Sequence, residues 1–205
     1  MYEFSIAFAW GTLGGYLYFE RRYRQRILAL VALPVALVMM WYATTIPSTA
    51  EPLVPALQNN LLLSVHVAVA IVAYGTFSIA FGAALLHLIQ PAEGRRGLPK
   101  PELLDEIGYR AVVIGFPFLT LVIVLGAVWA DVAWGSYWSW DRKETASLVT
   151  WLIYGAYLPA RVVRGWRGDK AAWLPLVGFA ATLFTYFGNL FFGGLHSYSG
   201  LSRDR

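Results

Sequence analysis

Six apolar runs, each close to the length needed to cross a bilayer and each ended by a short charged or proline-bearing loop, constrain this 205-residue chain more than any other feature. A hydrocarbon core takes about 20 helical residues per crossing. The runs are Phe4 to Phe19, Ile27 to Ile46, Leu61 to Ile89, Ala111 to Ala130, Thr145 to Leu158 and Ala171 to Phe192. They predict an all-α, polytopic membrane helix bundle of about six transmembrane helices. Only 14% of residues are charged, against about 25% in soluble domains, so no sizeable extramembrane domain is expected. Residues 1–60 read as two N-terminal helices and an outer loop, and 61–205 as a four-helix core within the same integrated membrane domain.

The charges orient the bundle. Glu20-Arg-Arg-Tyr-Arg-Gln-Arg26 puts four arginines in seven residues, which marks a cytoplasmic loop and leaves the N-terminus outside. With no basic region before it, the first run reads as a crossing helix and not as a cleaved signal. Pro47 to Asn60 holds one Glu and no Lys or Arg, as an outer loop should. Pro91 to Arg110 is the second inner loop, with Glu102 to Tyr109 as a short amphipathic approach to the fourth crossing. Arg161, Arg164, Arg167 and Lys170 mark the third inner loop. Both termini are then outside. His66, the loop after the fourth crossing and His196 all fall at the outer face, whereas His87, twenty-one positions beyond His66 and roughly 30 Å along the helix, falls at the inner one.

That fourth-crossing loop, Trp134-Gly-Ser-Tyr-Trp138-Ser-Trp140-Asp141-Arg142-Lys143-Glu144, packs three tryptophans, a tyrosine and four charges into eleven positions. Interfacial indoles explain one or two such residues. A dense aromatic run ending in charges suits a flat aromatic ligand with acidic substituents. Two imidazoles converging from different helices, His66 and His196, can supply both axial ligands to a haem iron while the aromatic platform contacts the porphyrin. Arg142 or Lys143 can meet its propionates. Asp141 has a structural alternative as the cap of the following helix.

Other chemistries lack their residues. Cysteine is absent, which removes disulfides, thiolate metal sites and thiol nucleophiles. There is no Walker A loop, no glycine-rich dinucleotide turn and no plausible Ser/His/Asp set. The net charge of +4 sits in loop clusters that satisfy membrane orientation, so nucleic acid is not an expected partner.

Trp134 to Asp141, followed by Lys143-Glu144 and Leu148-Val-Thr-Trp-Leu152, resembles the tryptophan-rich WWD signature of haem-handling proteins in cytochrome c biogenesis, most closely the CcsA (ResC-type) subunits of system II cytochrome c synthases. Leu103 to Arg110, Gly115-Phe-Pro117, Phe184 to Gly188 and Gly194 to Tyr198 are similar to further family segments. The resemblance implies non-covalent haem b ligated at the external site by His66 and His196, and cradled by the loop that carries Trp134, Trp138 and Trp140. It also implies a CcsB (ResB-type) partner subunit, an apocytochrome c bearing Cys-X-X-Cys-His, and a bacterial inner membrane with the haem site on the periplasmic side. Such a chain would act within a holocytochrome c synthase, joining haem vinyl groups to the two thiols, chiefly by positioning them.

The chain departs from the family at three positions. Pro159 stands in Tyr157-Leu-Pro-Ala-Arg161 where members commonly have histidine, Arg142 where they often have proline, and Ala146 where tryptophan is usual. His87 is the remaining histidine, with an interfacial or packing role set against one as a substitute ligand. Two alternatives stay open: a HemX-like membrane regulator of tetrapyrrole synthesis, and a haem or porphyrin transporter without ligase activity.

Overall fold

The computed structural model describes residues 2–46, 61–91, 94 and 97–191, the side chains of 133–134 and 188–191 left aside. Six helices follow in order: α1 Tyr2–Tyr23, α2 Ala29–Thr45, α3 Leu61–Leu88, α4 Pro101–Trp134, α5 Arg142–Val162 and α6 Asp169–Phe191. No strand occurs among the described residues. Helices of this length satisfy their backbone polar groups internally, which is the condition for crossing hydrocarbon. Arg26–Thr45, Leu61–Leu88, Pro101–Val132 and Asp169–Phe187 are long and apolar enough to span by length and composition. The other two helices have 22 and 21 residues. Glycine, tyrosine and tryptophan dilute the apolarity of α1, and Arg142, Lys143, Glu144 and Arg161 dilute that of α5. The protein is a multi-pass membrane helix bundle.

The helices alternate in direction. At one end, Ser5 on α1 and Tyr186 on α6 share a hydroxyl hydrogen bond of 2.5 Å, and Tyr42 near the end of α2 meets Phe187 edge to face. At the other end, His87 near the end of α3 reaches the carbonyl of Pro101 at the start of α4 and the carboxylate of Asp169 at the start of α6. The starts of α1, α3 and α5 and the ends of α2, α4 and α6 therefore share one end of the bundle.

Small residues set the closest crossing. Gly11 and Gly75 bring the backbones of α1 and α3 into contact, and a β-carbon on either would run into the other helix. Close approach of this kind replaces the hydrophobic drive that lipid does not supply. Gly15 lies on the same seam, its would-be β-carbon 3.0 Å from the Gly75 carbonyl oxygen. Thr12 and Ser78, both fully buried, share a hydroxyl hydrogen bond beside it. The seam uses Gly11 and Gly15, while Gly14 faces open space.

α4 is one uninterrupted helix of 34 residues. The amphipathic approach expected from Glu102 to Tyr109 is its first turns and not a separate segment. Those turns are anchored by a buried ion pair: Arg161 Nη1 donates to both carboxylate oxygens of Asp105 at 2.7 Å and to the Trp166 carbonyl oxygen at 3.1 Å. The amide of Gly168 donates to the same carboxylate, and the guanidinium stands 5.0 Å over the Tyr109 ring. With four hydrogen bonds and a ring contact around it, a charge pair at this depth is compensated and not merely tolerated.

Candidate functional site at the tryptophan-loop end

α4 stops at Gly135, whose φ of +74° is the left-handed conformation of a helix C-cap. The chain then runs five residues before Asp141, the N-cap of α5. The Asp141 carboxylate accepts from the Lys143 amide at 2.9 Å, and the Glu144 carboxylate accepts from the Asp141 amide at 3.2 Å, a reciprocal capping box. Glu144 also accepts from the Ser139 amide at 2.8 Å and from the Ser139 hydroxyl. One glutamate thus pins the last three residues of the loop to the first turn of α5. Asp141 takes the capping role weighed from the sequence.

The pinned segment includes a constrained residue. Trp140 has a φ of +58°, left-handed for a non-glycine residue. The Thr145 hydroxyl donates to its carbonyl oxygen at 3.3 Å, and the Thr145 amide donates to that of Asp141. The Trp138 and Trp140 rings meet edge to face with centroids 5.8 Å apart. Trp140 remains 69% exposed and Tyr137 60% exposed. Large rings held outward by a rigid backbone form a ready aromatic surface. The Trp134 side chain lies outside the described residues.

The cations beside the rings differ. Arg142 is exposed and Lys143 half-buried. Lys143 continues the buried stripe of α5 that runs through Ala146, Thr150, Tyr154 and Tyr157 to Arg161. Desolvation pulls the Lys143 ammonium below the ordinary lysine range, with the Asp141 carboxylate opposing that shift. An anion arriving there would restore what burial removes.

His66 sits on the second turn of α3, half-buried, with its ring against Gly126 of α4. A β-carbon at Gly126 would stand 3.0 Å from Cε1 and 3.4 Å from Nδ1. Gly126 is nine residues before Gly135, so His66 lies within about 14 Å of the loop's level along the α4 axis. His66 and the tryptophan loop therefore share one end of the bundle. His196, the second expected ligand, lies outside the described residues, five positions beyond α6, which runs toward that same end.

His87 belongs to the opposite end. It is 6% exposed, with Nδ1 donating to the Pro101 carbonyl oxygen and Nε2 meeting Asp169 Oδ1, each at 3.0 Å. Both ring nitrogens are occupied in joining α3, α4 and α6. This is the packing role weighed for it against that of a substitute ligand. Pro159 stands in the last turn of α5, where its carbonyl accepts the Val163 and Arg164 amides.

Sequence reasoning missed the seat for His66. Gly126 is a lone glycine in an apolar run, a pattern that gives no sign of what opposes it. It also missed Trp151, whose indole N–H donates to the Thr120 hydroxyl at 2.9 Å and ties α5 to α4.

The fold and this loop can be set beside known proteins. The family model described as cytochrome C assembly protein matches residues 1–196. The chain is 37% identical over 230 residues to the cytochrome c biogenesis protein CcsA of Guillardia theta, covering 98% of this chain and 76% of that one. To the protein of the same name from Chlamydomonas reinhardtii it is 42% identical over 211 residues, covering 97% of this chain and 59% of that one. To that of Gloeobacter violaceus it is 35% identical over 264 residues, covering 98% and 78%. With a match that takes in all six helices and the tryptophan loop, the chain belongs to the cytochrome c assembly protein family.

Proposed function

We propose that this protein takes haem b as cargo at the tryptophan-loop end of the bundle and delivers it for covalent attachment to apocytochrome c. His66 and His196 are the axial ligands in this reading. Trp134, Trp138 and Trp140 form the platform under the porphyrin, and Lys143, with Arg142 at the rim, meets the propionates. Asp141 contributes by fixing the first turn of α5 beneath Lys143. A CcsB (ResB-type) subunit and an apocytochrome c with Cys-X-X-Cys-His are the partners, and the site faces the periplasmic side of a bacterial inner membrane, with both termini on that side.

The observation that carries the reading is the sorting of histidines between the two ends. His66 lies at the end of the bundle that carries the exposed, backbone-held indoles, while His87 is fully engaged at the far end. The residues also fit the cargo chemically. A half-buried imidazole on a glycine-sized seat, outward aromatic faces and a desolvated ammonium match the iron, the macrocycle and the carboxylates.

Bound haem supplies an iron that takes two nitrogen ligands and vinyl groups that take two thiols. The protein's own contribution is orientation. Loop rings held by Glu144 and Thr145 cost little further ordering when they cover a flat ligand, and that preorganisation lowers the entropic barrier to thiol addition.

The test is spectroscopic. Protein purified from haem-replete cells is expected to carry a bis-histidine Soret band that His66→Ala and His196→Ala each diminish. Unchanged haem content in both variants would overturn the assignment. Co-expression with a CcsB-type subunit and a Cys-X-X-Cys-His reporter then scores covalent attachment.

A further inference from the structure

α1 packs against α3 and α2 and leaves one stripe of its surface exposed. Phe8 and Thr12 are buried against Tyr74 and Ser78 of α3, with Gly11 and Gly15 on the same seam. Gly14, Leu17, Tyr18, Arg21 and Arg22 fall at i, i+3, i+4, i+7 and i+8, which is a single stripe that flanks the glycine seam, with Tyr18 and Arg22 nearest to it. These five residues line an open cleft of about 450 Å³. No other side chain or helix lies within 4 Å of where a Gly14 β-carbon would be, so the missing side chain leaves an open, shallow notch in the stripe. Leu17 and Tyr18 are 43% and 55% exposed, and Arg21 and Arg22 are both exposed.

We infer that this stripe is a binding site for an anionic phospholipid, with its phosphate on Arg21 and Arg22 and an acyl chain laid along Leu17 into the Gly14 notch. The order of chemistry along the helix matches the order along a lipid. Gly14 and Arg21 are seven residues apart, about 10 Å of helix axis, which separates a headgroup phosphate from the upper acyl chain. Tyr18 lies between, where an aromatic ring with a polar tip suits the interface. Two neighbouring guanidiniums offer forked donors to phosphate oxygens.

Charge favours an anionic occupant over a zwitterionic one. No acidic residue lies on the stripe. The nearest, Glu20, has its side chain 25% exposed and pairs with Arg26 at 3.5 Å. Arg22 also stands 5.7 Å over the Tyr23 ring, which holds its guanidinium near the helix. Arg24 and Arg26 add positive potential off the stripe, and they provide an internal control for general attraction to anionic surfaces.

The experiment uses the full chain in detergent, stripped of lipid and re-equilibrated with phosphatidylglycerol or phosphatidylcholine, with bound lipid counted by native mass spectrometry. The wild-type chain is expected to retain phosphatidylglycerol at least about tenfold better than phosphatidylcholine. Arg21→Gln with Arg22→Gln should erase that preference, whereas Arg24→Gln with Arg26→Gln should leave most of it. Gly14→Leu, which fills the notch without touching charge, should reduce lipid retention while the melting temperature holds. Equal retention of the two lipids overturns the inference, as does an equal loss in the two arginine pairs, which would mean diffuse attraction. Full displacement of bound phosphatidylglycerol by millimolar inorganic phosphate would reduce the site to an anion site and also overturn it. If the Arg21/Arg22 double variant fails to fold, Gly14→Leu decides alone, and unchanged retention there refutes the site.

Discussion

The imidazole of His66 rests on Gly126, close enough that a single added methyl group would stand 3.0 Å from its Cε1. The ring's position on α3 is therefore set by a missing side chain on α4. Gly126→Ala should tilt the ring and alter the Soret position of the haem-loaded protein, and Gly126→Leu should abolish axial ligation by His66. Because the residue is only half-buried and a shift of a few tenths of an ångström relieves the contact, the melting temperature of the Ala variant should move by no more than a few degrees. Absorption spectra alongside thermal unfolding separate the two effects.

The α1–α3 crossing has no such tolerance. Gly75→Ala directs a β-carbon into the backbone of α1 and should destabilise the bundle by about 1 to 3 kcal/mol. Gly14→Ala, on the open side of the same helix, should be neutral or stabilising by up to about 1 kcal/mol from helix propensity. Unfolding in detergent, followed by circular dichroism, should rank the two variants on opposite sides of the wild type.

Asp105→Asn should cost about 3 to 5 kcal/mol, because it leaves the Arg161 guanidinium buried without its counter-charge. Asp105→Leu with Arg161→Met should cost much less than the single change. A double-mutant cycle on melting data checks this, and additivity of the two substitutions would refute the coupling.

Glu144 holds the loop's last residues by accepting from the Ser139 and Asp141 amides. Glu144→Ala should cost about 1 kcal/mol of stability from the lost cap, and it should do more to the site than to the fold. Released from its left-handed backbone, Trp140 should show broadened, faster-quenched fluorescence, and haem affinity should fall with it.

In the proposed site, Lys143 should make haem binding sensitive to alkali. Its ammonium is held below the ordinary lysine range by desolvation, so in the haem-free protein the charge is lost as pH rises through that lowered value. Propionate binding, which needs the charge, should therefore weaken on the alkaline side earlier than an ordinary lysine would dictate, and below the lowered pKa it should be at full strength. Lys143→Gln should reduce affinity at neutral pH and flatten the alkaline decline. Haem titrations across the pH range measure both.

The helices were legible because apolar length and interrupting charges record a bilayer crossing directly in the order of residues. So was the shared end of His66 and the tryptophan loop, since alternating basic and non-basic loops give the direction of each run. Side-chain partnerships across helices were not legible. Ser5 with Tyr186, Thr12 with Ser78 and Thr120 with Trp151 each join residues that look like incidental polar groups in apolar stretches. The continuity of α4 was also hidden, because Glu102 to Arg110 is polar enough to read as a loop until Asp105 is seen facing Arg161. Asp141 could be read both as a cap and as a ligand contact, and local spacing alone could not choose between them.

α4 has one more consequence. Thirty-four residues make a rod of about 50 Å, whereas the hydrocarbon it crosses is about 30 Å thick. Set upright, the rod would project by some 20 Å, and the Pro101 end, held by His87 and by the Asp105–Arg161 pair, belongs to the same helix as the Gly135 end that carries the indole loop. A tilt imposed on the far end by a partner or by a change in bilayer thickness would swing the tryptophan-bearing end as a lever does, bringing action at a distance without any chemical messenger.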